Sequence, residues 1–166
     1  MEVWRGVQEG LQAVMVNPGV ILGAGFPESG SGKLFTAVKN GFPYYTEGVT
    51  GFVAVEDVTE AMIRLMQSPV SGERYILAAE NLSYKALLTT IAKALAVTPP
   101  EKAAKPRTLN TLRWLHWLKH RLTGKPISLT KYTITSAFSV NRYSSARIKE
   151  ALHFEFTPIT VAIKNI

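Results

Sequence analysis

Cysteine is absent from this chain of 166 residues, which excludes disulfides and thiolate metal sites and makes a reducing compartment the natural setting. Histidine is scarce. His116 and His120 stand at i, i+4, so a helix would present both on one face, but His153 is the only other one and no glutamate follows His116. Zinc needs three or four ligands, so no metal site is expected. Long apolar runs are missing as well; none approaches the roughly 20 residues that span a bilayer. The opening MEVWRGVQEG lacks a basic stretch followed by an apolar one, so no signal peptide is expected. Together these absences predict a soluble, cytoplasmic protein without a membrane span.

Acid is the next scarcity. Residues 1–101 carry 7 basic and 10 acidic side chains, whereas residues 102–166 carry 12 basic and 2 acidic, with no acid between positions 102 and 149. Such asymmetry marks either a surface for an acidic partner or a solvated rim around a pocket for an anionic ligand. Asp57 is the only aspartate.

Three phosphate or nucleophile motifs are nearly present and fail on spacing. In GAGFPESGSGKLF, Gly32-Lys33 is followed by Leu34 where a P-loop needs Ser or Thr, and the position five before Gly32 is Pro27, which has no amide hydrogen to offer. A dinucleotide fingerprint begins at Gly23-Ala24-Gly25 but meets Glu28 at its third glycine. The strained-turn motif G-x-S-x-G is also unmet, because Pro27 and Ser29 stand two residues before Ser29 and Ser31.

What is there alternates. Residues 2–10 read as the end of a helix stopped at Gly10, and the continuous apolar run at 11–16 reads as a strand covered on both faces, as in a parallel sheet. Residues 31–39 read as a helix ending at Asn40-Gly41, and 51–55 as a second strand. Asp57 and Glu60 have the spacing of a capping box, which predicts that the Asp57 carboxylate accepts amides at a helix start. Residues 74–79 read as a third strand, Ser83 as the cap of the next helix, and 98–106 as a proline-bounded linker. Helical stretches follow at 109–122, 130–138 and 145–152. Strand and helix in alternation predict a parallel sheet with crossover helices, an α/β fold.

Tyr44 and Tyr45 fall on a predicted loop leading into the second strand, suited equally to packing or to a ligand. Trp114 and Trp117 sit on a basic helix suited to a core, a pocket or a membrane surface. The aromatics match no RNA-recognition strand and no helix-turn-helix spacing stands out, so no nucleic-acid partner is expected.

Four stretches in order resemble one family. EVWRGVQEGLQAVMVNPGVILGAG resembles the segment after the catalytic helix of extended short-chain dehydrogenases/reductases, in particular the dihydroflavonol-reductase-like and epimerase/dehydratase branches. GVTGFVAVEDVTEAMIRLM, SGERYILAAENLSYKALLTTIAKAL and YSSARIKEALHFEFTPI resemble later segments of the same family. The last departs from the pattern, with Arg147 at a lysine position and His153 at a glycine position. The family's glycine-rich loop and catalytic Tyr-x-x-x-Lys are not in this sequence; the resemblance places them upstream of Met1.

The resemblance thus implies the C-terminal half of such an enzyme. It would comprise the C-terminal part of a Rossmann-like sheet, with interleaved substrate-lobe elements, over 1–97, and a mainly helical substrate-binding lobe over 98–166. It implies NAD or NADP in the intact parent, weak or no binding by this chain alone, and hydride transfer to or from a carbonyl or alcohol. It places the nicotinamide against Pro18, Gly19, Val20 and Ile21, with Ser31 nearby, and substrate contacts at Lys33, Phe35, Tyr44, Tyr45, Trp114 and Trp117. A sheet lacking its natural neighbours should pair with another copy, which predicts self-association. The alternative expectation is a non-catalytic module whose basic helical lobe engages an acidic partner, a membrane surface or nucleic acid.

Overall fold

The structure, a computed structural model, describes residues 2–105 and 131–166. The predicted helix at 109–122, with Trp114, Trp117, His116 and His120, lies outside the described residues. The described chain divides into two compact units: 1–33, 51–81 and 142–166 form the first, and 34–50 with 82–141 the second. The chain passes between the units more than once, and residues 142–166 belong to the first.

The first unit begins with helix α1 (Glu2–Gln8). Leu11 donates its amide to the Gly6 carbonyl at 2.8 Å. That turn consumes residues 11–13, so strand β1 runs over Val14–Pro18, later than the apolar run predicts. β1 pairs in parallel with β5 (Glu73–Leu77), in the register Val14↔Glu73 to Pro18↔Leu77. After Gly19 the same path continues as β2 (Val20–Leu22) and changes partner, pairing in parallel with β4 (Val49–Ala54) at Val20↔Phe52 to Leu22↔Ala54. β6 (Glu80–Ser83) extends that sheet beside β4. Every register resolved in the described residues is parallel, as the alternation of strand and helix predicts, and the chain is α/β.

The partner change turns on Gly19. Its amide donates to the Leu77 carbonyl at 2.9 Å. A Cβ there would stand 2.4 Å from the Gly51 carbonyl oxygen, so only glycine lets the two backbones pass.

Helix α3 (Val55–Gln67) follows β4 directly and lays Val58, Ala61 and Leu65 on the sheet. Their i, i+3, i+7 spacing is one helix stripe. Val53, Tyr75 and Leu77 of the sheet complete the core, with Ile148 of α6 (Ala146–Leu152) and Phe154 beyond it. Burial of side chains of this size contributes about 1.5–3 kcal/mol each. α7 (Ile159–Lys164), which the pattern of residues did not announce, buries Ile159, Ala162 and Ile163.

Asp57 corrects the capping expectation. α3 starts at Val55 after an extended Ala54, so Asp57 lies inside the first turn and is buried. Its carboxylate accepts from the Thr157 amide at 2.9 Å and the Thr157 hydroxyl at 2.8 Å. The role is structural, though the partner is distant in sequence. Two further clamps act on the same segment. Ser145 Oγ accepts from the Ala78 amide and donates to the Ala78 carbonyl, both at 2.8 Å. The Asn81 side-chain amide exchanges two 2.8 Å bonds with the Tyr143 backbone.

The second unit contains most of helix α2 (Gly32–Lys39) and strand β3 (Tyr44–Tyr45). Helix α4 (Tyr84–Ala94) follows, capped as predicted by Ser83, whose Oγ accepts from the Ala86 amide at 3.1 Å. Strand β7 (Lys102–Ala103) and helix α5 (Lys131–Phe138) complete it. β3 and β7 pair in parallel, Tyr44↔Lys102 and Tyr45↔Ala103, so the predicted loop and the predicted linker each hold a short strand. Val38, Leu87, Leu88, Ile91, Ala92 and Ile134 are buried. Among the described residues no helix is long and apolar enough to cross a membrane.

Candidate functional site

In the first unit, the residues expected at a cofactor stand where β1 ends and β2 begins. Ligands of open parallel sheets bind beyond the carboxyl ends of strands. Pro18 is exposed at the end of β1, and Ile21 is also exposed. Gly19 next to Pro18 leaves that end free of a second side chain, so a flat ring could lie on the pyrrolidine. The polar groups nearby are largely engaged. The Gly19 amide is held by Leu77, and Ser31 donates its hydroxyl hydrogen to the Ile21 carbonyl at 2.5 Å. Ser31 can therefore only accept from a ligand, as it would from the NH₂ of a carboxamide.

The loop after β2 uses two of its amides within itself. The Ser29 amide donates to the Phe26 carbonyl and the Gly32 amide to Ser29. A Cβ on Gly32 would stand 2.1 Å from the Phe26 carbonyl oxygen. The glycine serves a tight turn, and its amide is engaged within the loop.

In the second unit, fifteen described residues line a cavity of 610 Å³. α2 contributes Leu34, Ala37 and Val38, an i, i+3, i+4 stripe, and β3 contributes Tyr44 and Tyr45. α4 adds Tyr84 and Leu88, the approach to β7 adds Pro100, and β7 with its continuation adds Ala103, Ala104 and Lys105. Phe42 packs against Tyr44 with ring centroids 5.6 Å apart, and the Lys85 ammonium lies 4.9 Å from the centre of the Tyr45 ring. Such a cation over an aromatic face is attracted by the ring's quadrupole and helps to hold the ring in place.

Of the residues expected at a substrate, Tyr44 and Tyr45 are on this wall, while Lys33 and Phe35 fall outside the α2 stripe. Trp114 and Trp117 lie outside the described residues. Phe42, Tyr84, Leu88 and Lys105 escaped the sequence. They come from separate elements, and no spacing between them carries a pattern. The one local signal was FPYY, four consecutive aromatic or cyclic residues between a helix stop and a strand.

No protein-family profile matches the chain, and no curated protein matches it. Solved structures do. The gox2253 protein is 25% identical over 98% of this chain and 50% of its own length, with a TM-score of 0.76. A nucleoside-diphosphate-sugar epimerase from Pseudomonas aeruginosa is 21% identical over 98% of this chain and 49% of its own, with a TM-score of 0.74. A UDP-glucuronic acid 4-epimerase from Bacillus cereus, solved with UDP-glucuronic acid and NAD, is 8% identical over 98% and 47%, with a TM-score of 0.66. The chain therefore has the fold of part of such epimerases and spans about half the length of these structures.

Proposed function

We propose that this chain is the C-terminal part of an NAD(P)-dependent oxidoreductase or epimerase/dehydratase that moves a hydride between nicotinamide and a carbonyl or alcohol substrate. The observation that carries the proposal is the fold likeness over 98% of this chain to epimerases of twice its length. The first unit is then the cofactor-facing part and the second the substrate-binding lobe. The exposed Pro18 surface fits the nicotinamide ring, and Ser31 fits as an acceptor for its carboxamide. When bound, the dinucleotide supplies the hydride acceptor or donor. The pyrophosphate grip and the acid/base Tyr-x-x-x-Lys belong to polypeptide outside this sequence, in line with the engaged Gly32 amide of the loop after β2.

The chain alone is then inactive and holds dinucleotide weakly. NADPH titrated calorimetrically into the purified chain should give no saturable binding below millimolar concentration. Micromolar affinity, or hydride transfer by the chain alone, would overturn the proposal. A reading frame upstream of Met1 encoding both the glycine-rich loop and Tyr-x-x-x-Lys would support it directly.

Self-association is part of the same proposal. β1 is only half-buried, and Met62, Met66 and Val70 rim a 330 Å³ hollow with Val14 and Val16. Met66 is 83% exposed. Apolar surface of this kind, beside a strand with one paired edge, favours a second copy. Light scattering should return a mass above 18.3 kDa. A monomer at tens of micromolar would count against it.

A further inference from the structure

The cavity of the second unit has a wall whose chemistry selects among substrates. Its volume of 610 Å³ lies in the range of small-molecule sites, and aliphatic or aromatic carbon makes up most of its surface. Among the described lining residues Lys105 is the only charged one, and it is exposed. Four backbone donors beside the cavity are engaged elsewhere. Along the β3–β7 wall, the Lys102 amide donates to the Pro43 carbonyl at 2.9 Å and the Ala104 amide to Tyr45 at 2.7 Å. At the start of α4, where helix amides would otherwise meet an anion, the Tyr84 amide donates to the Gly48 carbonyl at 3.0 Å and the Ala86 amide to Ser83.

Among the described lining residues, a diphosphate placed here would lose its hydration and find a single charged partner, Lys105, beside the hydroxyls of Thr46, Ser136 and the tyrosines. Burying charge without matched partners is strongly unfavourable. Tyr44, Tyr45, Tyr84 and Phe42 instead offer ring faces and edges, which suit a flat or branched hydrocarbon body.

We propose that this cavity binds an uncharged carbonyl or alcohol compound with an aryl or hydrocarbon body, and not a nucleotide-linked sugar. The inference rests on the preceding assignment of the second unit as the substrate-binding lobe. It separates this chain from the epimerases it resembles in fold. The ligand places its apolar body between the α2 stripe and the tyrosines of β3, and any polar group it carries lies toward Lys105.

The probe is 6-propionyl-2-(dimethylamino)naphthalene, an uncharged aryl ketone whose emission shifts to the blue in apolar surroundings. A ligand of about 17 non-hydrogen atoms at ordinary ligand efficiency should bind with a Kd of roughly 100 μM or tighter. Titrated into the whole chain, it should saturate at one site with a blue shift. UDP-glucose at millimolar concentration should leave that signal unchanged. Ala37→Trp, which fills the cavity from α2, should weaken binding at least fivefold with an unchanged circular dichroism spectrum. Ala103→Trp fills it from an exposed position on β7 and serves if Ala37→Trp does not fold. Lys105→Ala should change the affinity less than twofold.

Displacement by UDP-glucose would overturn the proposal, as would the absence of saturable binding. Wild-type affinity in both filling variants would also overturn it, since the probe would then sit on exterior apolar surface. These outcomes are independent of the NADPH titration. A failed cavity with no dinucleotide binding leaves the enzyme assignment standing, and micromolar NADPH binding removes that assignment whatever the probe does.

Discussion

The two units put their polar groups to different uses. In the first, side chains hold backbone directly: Asp57 on Thr157, Ser145 on Ala78, Asn81 on Tyr143, and Glu80 on the Ile159 amide that opens α7, at 2.8 Å. Each is a one-to-one pairing that fails if either partner moves. In the second, backbone amides around the cavity satisfy neighbouring carbonyls, and the side chains left facing inward are mostly carbon. One unit is fixed by directed bonds and the other is shaped by what it leaves unfilled. The first should therefore punish substitution, and the second should absorb it.

The sharpest way to break that contrast is Asp57→Ala. It strands the Thr157 amide and hydroxyl in partly buried surroundings, and hydrogen bonds to a charged acceptor contribute about 1.5–3 kcal/mol each. A loss of about 3 kcal/mol in urea denaturation is expected. A loss below about 0.5 kcal/mol would remove the claim that these clamps fix the first unit.

His153 gives the next effect, of opposite sign. It closes α6 in the left-handed conformation, at φ 47° and ψ 45°, and its amide bonds to the Lys149 carbonyl. A side chain there costs roughly 1–2 kcal/mol, which is why the family resembled here has glycine at this position. His153→Gly should stabilise the chain by about 1 kcal/mol, read as a raised denaturation midpoint. No gain would mean that the His153 side chain contributes contacts of similar worth. The smallest effect belongs to the second unit. Ala37→Trp enters open volume and should shift stability by less than about 0.5 kcal/mol; a cost of several kcal/mol would show its wall to be as exacting as the first unit's core.

Much of the scaffold was legible in the sequence because it is local. Apolar runs marked β1, β4 and β5 to within a few residues, Ser83 announced α4, and Asn40-Gly41 the end of α2. What escaped is non-local or too short. A two-residue strand such as Tyr44–Tyr45 has no period, and its partner Lys102–Ala103 sits in a stretch that composition marks as a linker. Asp57 looked like a cap because its spacing to Glu60 is a local pattern, while Thr157, its partner, is 100 positions away. The cavity was legible only at its tyrosines. The remaining wall is assembled by folding from four elements whose residues are unremarkable one at a time.

Those long-range clamps also set an order in time. A chain emerges from the ribosome N-terminus first, and contacts between distant positions form late because loop closure must precede them. β1 waits for β5, Ala78 for Ser145 across 67 positions, and Asp57 for Thr157 across 100. Residues 145–159 are the ones that latch the first unit shut, so a nascent chain stalled before they emerge would hold its central sheet unsecured and open to proteases.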